Sequence, residues 1–244
     1  MHRCYCKDLD LNQPVLFLKD TKEIHHLKDV LRLKEKTELH LFNDAGDQAK
    51  GFITTITNNE ILITITQKLK PEEAQINIIL ACAMPKKGKF ELIIEKATEL
   101  GVSEIIPLRT QRTEVILKGA RLEKKYERFT TVAINAVKQC KRNTIPKIHP
   151  ITSFTDCIND LTQRASVFIP SLQESSKKLD ETLPKFAKAK TIAFFIGPEG
   201  DLTSEEYSYA QEKGCHPVTL GTTILKVETA AISVLSYLKY SYNI

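Results

Sequence analysis

Residues Ala193-Phe194-Phe195-Ile196 form an apolar run with no polar alternation, and the run leads straight into Gly197-Pro198-Glu199-Gly200. A strand that is apolar on both faces has to be covered on both faces, as strands in parallel sheets are. Gly197 and Gly200 permit close backbone approach or a positive φ, and Pro198 fixes its own φ and removes a donor. Thr203 with Glu206 has the spacing of a capping box, so a helix follows the turn. A turn at the carboxyl end of a parallel strand is where open α/β sheets take their ligands. An ordinary strand–turn–helix connection would carry the same residues.

A second bend of this kind follows. Val218-Thr219-Leu220 runs into Gly221, and a helix then carries Ala230, Ala231, Val234, Leu235 and Leu238 on one face. Two such bends side by side would frame a cleft for an adenosine-like ligand, with backbone groups reading its edge and apolar side chains covering its faces.

The same alternation extends back through the chain. Strands are expected at 76–83, 104–108, 166–169, Thr191–Ile196 and 218–220. Helices are expected from Phe90 to Gly101 and over 122–140. This pattern means an α/β domain with a parallel sheet and helices on both faces. The first 70 residues differ. Short strands at Val15–Leu18, Glu38–Phe42, Gln48–Ile56 and 60–67, with one helix opened by Asp20 and Glu23 and running to Leu31, suggest a small β-barrel. The polar, proline-bearing Lys70-Pro71-Glu72-Glu73 reads as the linker, dividing the chain into domains at 1–70 and 75–244.

The formal net charge is +5, but residues 86–147 alone carry 15 Lys and Arg against 7 Asp and Glu. A basic middle between near-neutral flanks suggests a phosphate-backbone footprint, although a solvated helical face also carries such charge. The six cysteines are scattered, without the pairs that mark a metal site, so no metal is expected. Cys4 and Cys6 read as alternate positions of one strand. No apolar run is long enough to span a bilayer, and the first residues lack a signal peptide's apolar core. Free thiols then favour the cytoplasm.

The Gly-Pro-Glu-Gly loop together with Leu220-Gly221-x-x-Ile224-Leu225-Lys226-x-Glu228-Thr229-Ala230 resembles the SPOUT class of RNA methyltransferases, and within it the RsmE family. Further matches are 95–102 (Glu-Lys-Ala-Thr-Glu-Leu-Gly-Val), 139–146 (Gln-Cys-Lys-Arg-Asn-Thr-Ile-Pro), and His26 with Val30-Leu31-Arg32. The likeness runs in order along nearly the whole chain. It implies a PUA-like RNA-holding domain, then a SPOUT domain with a C-terminal trefoil knot, acting as a homodimer on small-subunit (16S) ribosomal RNA. The implied reaction is methylation of uridine N3 from S-adenosylmethionine.

On this resemblance the cofactor sits against Leu172, Ile196, Gly197, Gly200, Leu220, Gly221, Ile224 and Leu225. A branched side chain at Gly200 is expected to fill that cleft. Arg142 is expected to touch the target phosphate or uracil oxygen. Glu199 is the second candidate for the chemistry or, like Glu228, a helix cap. Arg3, Arg32, Lys86, Lys87, Arg109, Arg112, Lys141 and Arg142 are the expected RNA contacts. Three positions depart from the family pattern: Asp201 replaces a second glycine, Lys226 an arginine and Lys138 a glutamate. A non-catalytic RNA-binding protein of the same fold and a ribose-2′-O methyltransferase are the alternatives. The two-domain layout and the Lys96-Ala97-Thr98-Glu99-Leu100-Gly101 segment argue against the second.

Overall fold

The computed structural model describes residues 1–70, 76–86, 88–114, 119–173 and 175–242. The chain forms two compact units, Met1–Glu73 with Val137–Ile145, and Ala74–Ala136 with Pro146–Ile244. Most of the linker expected at 70–73, and Lys87, lie outside the described residues.

The first unit is a five-stranded sheet in the order β1 (His2–Tyr5), β3 (Glu38–Phe42), β4 (Gln48–Ile56), β5 (Ile61–Leu69), β2 (Val15–Leu18). Only the β1–β3 pair is parallel. Period-2 alternation turns Leu39, Leu41, Ile53, Ile61 and Ile63 into a fully buried core. Register shifts at Lys50/Gly51 and Ile53/Thr55 bend β4 against β5. Gly51 is required there, since a Cβ would lie 2.6 Å from the Thr64 carbonyl oxygen.

Asp20 caps α1 (Thr21–His25), accepting from the amides of Lys22 at 2.8 Å and Glu23 at 3.0 Å. Glu23 is not the reciprocal half of a capping box. It is buried, and its carboxylate pairs with Lys138. The helical path continues as a π-turn over His26–Val30. Cys4 and Cys6 are both buried, with their sulfurs 3.4 Å apart.

The second unit is a sheet in the order β11 (Lys177–Lys178), β13 (His216–Thr219), β10 (Ser166–Pro170), β12 (Thr191–Ile196), β6 (Asn77–Ala83), β7 (Glu104–Arg109), β8 (Lys147–Ile148). In addition β9 (Thr152–Ser153) pairs with β7. Every pairing is parallel. The unalternating run around Phe194 becomes β12, in the middle of the sheet. Phe154 meets Phe195 edge-on from one face, and Phe168 stacks on Phe194. Helix α2 (Phe90–Glu99) is followed by Gly101 at φ 100°, and it packs with α7 (Val227–Tyr242), which also touches β6 and β12.

Between these, α3 spans Ala120–Cys140, the short α5 spans Leu179–Thr182, and α6 spans Ser204–Glu212 behind the Thr203/Glu206 capping box. Helix α4 (Phe154–Arg164) was not anticipated. Its signal was present in Ser153, whose hydroxyl accepts the Asp156 amide at 3.1 Å, and in buried Phe154, Cys157, Ile158 and Leu161 at helical spacing.

Candidate functional site

The carboxyl ends of three adjacent strands, β13, β10 and β12, meet around a cavity of about 450 Å³. This lies within the range of small-molecule sites, roughly 300–1,000 Å³. One wall is the Gly-Pro-Glu-Gly loop with Ile196, a second is Leu220 to Val227, and the third is Pro170 to Leu172. All eight residues expected at the cofactor, Leu172, Ile196, Gly197, Gly200, Leu220, Gly221, Ile224 and Leu225, line this one cavity.

The loop is held from several directions. Arg112 Nη1 donates to the Gly200 carbonyl at 2.7 Å and to the Leu202 carbonyl at 3.5 Å. Asp201 takes the left-handed backbone at φ 63°, and its Oδ1 accepts from its neighbour's amide, Leu202 N, at 2.8 Å and from Tyr207 Oη at 2.7 Å. Burial and the adjacent Asp201 carboxylate both raise the Tyr207 phenol above its ordinary pKa, so it stays a donor. Glu206 accepts from the Thr203 amide at 2.9 Å with one oxygen and from the Gln111 amide at 2.9 Å with the other. Glu199 Oε1 accepts the Lys86 amide at 3.0 Å, which joins the loop after β6 to the Gly-Pro-Glu-Gly turn.

The opposite wall turns at Gly221, φ 123°, where the Thr219 hydroxyl accepts Gly221 N at 3.2 Å and donates to Gly221 O at 2.9 Å. Glu228, in the first turn of α7, takes Lys89 Nζ at 2.6 Å, and that bond holds its carboxyl below the usual range.

The residues present fit S-adenosylmethionine. A Cβ built on Gly221 would meet nothing within 4 Å, so the bend leaves open space beside the cavity. Ile224 and Leu172 line the cavity while remaining 88% and 55% exposed, two uncovered apolar surfaces suited to the faces of a purine.

Gly200 lines the cavity. Its φ is not in the left-handed region, and a Cβ there would touch Arg112 Cδ at 3.5 Å. The left-handed residue of the turn is Asp201. The roles of Asp201 and Tyr207 at the wall, and of Arg112 as the tie on the loop, were not seen in the sequence. Only the unusual aspartate could have signalled them.

The expected RNA contacts fall in both units. Arg112 is engaged with the loop carbonyls, and Arg3 with the backbone of Lys141 and Arg142 and with Asn143. Lys86 is exposed and ion-paired with Glu114 at 2.8 Å. Arg109, at the end of β7, and Arg32, at φ 52°, are exposed. Lys141 is exposed at φ 62°. Arg142 is half-buried, and burial lowers its pKa below the ordinary guanidinium value.

The RNA methyltransferase domain family matches residues 72–239, and the RNA methyltransferase PUA domain family matches residues 18–66. The chain is 30% identical to the ribosomal RNA small subunit methyltransferase E of Bacillus subtilis, over 90% of this chain and 88% of that one. It is 32% identical to the protein of the same name from Buchnera aphidicola, over 97% and 91%. The crystal structure of the Neisseria gonorrhoeae ribosomal RNA small subunit methyltransferase E bound to S-adenosyl methionine superposes with a TM-score of 0.89 at 26% identity, covering 99% of this chain and 98% of that one. With a PUA domain followed by a parallel α/β domain whose strand ends enclose this cavity, the chain belongs to the ribosomal RNA small subunit methyltransferase E family.

Proposed function

We propose that this protein transfers a methyl group from S-adenosylmethionine to N3 of a uridine in small-subunit ribosomal RNA. The observation that carries this reading is the single cavity shared by the Gly197–Asp201 and Leu220–Val227 bends. S-adenosylmethionine, when bound, supplies an electrophilic methyl on a sulfonium. The chain's part is to hold the donor cleft in one shape and to present the base in line with it, since alignment accounts for much of the rate. Leu172, Ile196, Ile224 and Leu225 cover the purine, while backbone groups of the cavity walls meet its edge. Glu199 keeps the loop shaped by accepting the Lys86 amide.

Uracil N3 carries a proton at neutral pH; that proton passes to water, the N3–methyl bond forms as the sulfonium–methyl bond breaks, and the anion on the base needs stabilising on the way. Lys226 is exposed on the cavity wall, and its ammonium lowers the cost of negative charge on the base. Arg142 contacts the target phosphate or a uracil oxygen, with Lys86, Arg109, Arg32 and Lys141 contributing to backbone attraction.

The same reading makes residues 1–70 the RNA-holding domain and 75–244 the catalytic one, with a C-terminal trefoil knot. The protein works as a homodimer in the cytoplasm on 16S ribosomal RNA or the assembled small subunit. No helix among the described residues is long and apolar enough to cross a membrane.

The test is transfer of labelled methyl from S-adenosylmethionine to small subunits lacking the modification, followed by nucleotide mapping. A single 3-methyluridine is expected. Cofactor binding without transfer to any ribosomal RNA overturns the enzymatic reading, and a 2′-O-methyl product overturns the choice of acceptor.

A further inference from the structure

Segment Val137–Ile145 falls inside the stretch matched by the methyltransferase domain family, yet its contacts group it with Met1–Glu73. Two features fasten it there. The Arg3 guanidinium donates from Nη1 to the Lys141 carbonyl at 3.2 Å, and from Nη2 to the Arg142 carbonyl and to Asn143 Oδ1, the last at 3.0 Å. The guanidinium also lies 5.0 Å from the Phe42 ring centroid, which restricts how its plane can turn. Four residues before Arg142, Lys138 donates to Glu23 Oε1, with both side chains almost wholly buried.

A planar fork that bonds two successive carbonyls and a side-chain amide fixes the path of a turn, which a lysine could not do. A buried ion pair contributes little net stability but is intolerant of displacement, because either partner left alone is a desolvated charge. Lys141 at φ 62° makes the turn that these bonds hold. Lys138 is therefore matched by a buried carboxylate from α1.

We propose that Arg3 and the Glu23–Lys138 pair are positioning residues. They clamp the 137–145 segment to the first unit and thereby set where Arg142 meets the RNA. This rests on the reading of Arg142 as an RNA contact, and the experiment separates the two.

Steady-state methylation of small-subunit particles is measured for Arg142→Ala, Arg3→Met, the neutral pair Glu23→Gln/Lys138→Gln, and each clamp change combined with Arg142→Ala. Cofactor affinity and thermal unfolding are followed alongside. Arg142→Ala is expected to raise KM for the particle about tenfold, and each clamp variant to raise it by a similar factor at unchanged cofactor affinity. In combination with Arg142→Ala the clamp changes should add less than twofold, the mark of residues acting through one another. Arg3→Lys should recover only part of the loss.

An Arg142→Ala protein with normal KM defeats the reading of Arg142 and leaves no object to be positioned. A raised KM for Arg142→Ala with normal values for both clamp variants defeats the clamp alone, as do fully multiplicative effects. Should Arg3→Met fail to fold, the neutral pair carries the decision, since it leaves no buried charge unmatched.

Discussion

Tyr207 donates its hydroxyl to Asp201 Oδ1 across 2.7 Å, and the same oxygen accepts the Leu202 amide at 2.8 Å. Asp201 thus replaces the expected glycine at a left-handed position, φ 63°, while adding a bond that glycine cannot make. Removing the phenol in Tyr207→Phe should weaken S-adenosylmethionine binding about tenfold, the scale of one hydrogen bond to a charged group. Asp201→Gly should lose a similar factor, and Asp201→Ala more, because alanine keeps the backbone cost without the bonds. Calorimetric titration of the three variants checks this order.

Arg112 and Gly200 form a tie at the edge of the cavity. A methyl group at Gly200 would rest against Arg112 at ordinary contact distance, so Gly200→Ala should bind cofactor within about threefold of wild type. Arg112→Met removes the donor to Gly200 O and should weaken cofactor binding about tenfold by loosening the turn. A titration in which alanine at 200 is the worse of the two would contradict this arrangement.

Gly221 stands at φ 123° with open space where a side chain would point. Steric crowding is absent there, so Gly221→Ala reports backbone cost alone, about 1–3 kcal/mol. Thermal unfolding of the variant without ligand should show that loss, and the shifted bend should also weaken S-adenosylmethionine binding.

His216 packs against the rings of Phe186 and Phe168, with centroids 4.6 and 5.4 Å away, and burial lowers its pKa below the usual 6.5. The native state therefore binds fewer protons here than the unfolded chain. Its contribution to stability is complete above the unfolded pKa and is lost as pH falls through 6.5 toward the lowered folded value. Unfolding midpoints measured from pH 8 to pH 5 should drop, and His216→Phe should flatten the part of the curve below 6.5.

The strands read well from sequence because hydrophobic period is a local signal. Val15–Leu18, Glu38–Phe42, Gln48–Ile56 and Thr191–Ile196 fall where alternation or its absence put them. The cavity residues were legible for another reason: two glycine bends of one kind lie 20-odd residues apart, and the family likeness joins them. Partnerships between remote side chains left no such trace. Nothing near Arg3 indicates that it grips residues 141–143, and nothing near Glu23 indicates Lys138, because each pairing depends on how a distant segment is laid down. Helix α4 is a miss of another sort, since its apolar spacing and Ser153 cap were present to be counted.

The nine residues from Val137 to Ile145 also bear on how this polypeptide can be dissected. A fragment beginning at 74 would keep every strand around the cavity, yet strip that segment of Arg3 and Glu23 and leave Lys138 without its counter-ion. The two halves are thus not interchangeable modules on a string. A graft that swaps the N-terminal half for a relative's must bring along an acid for position 138 to find.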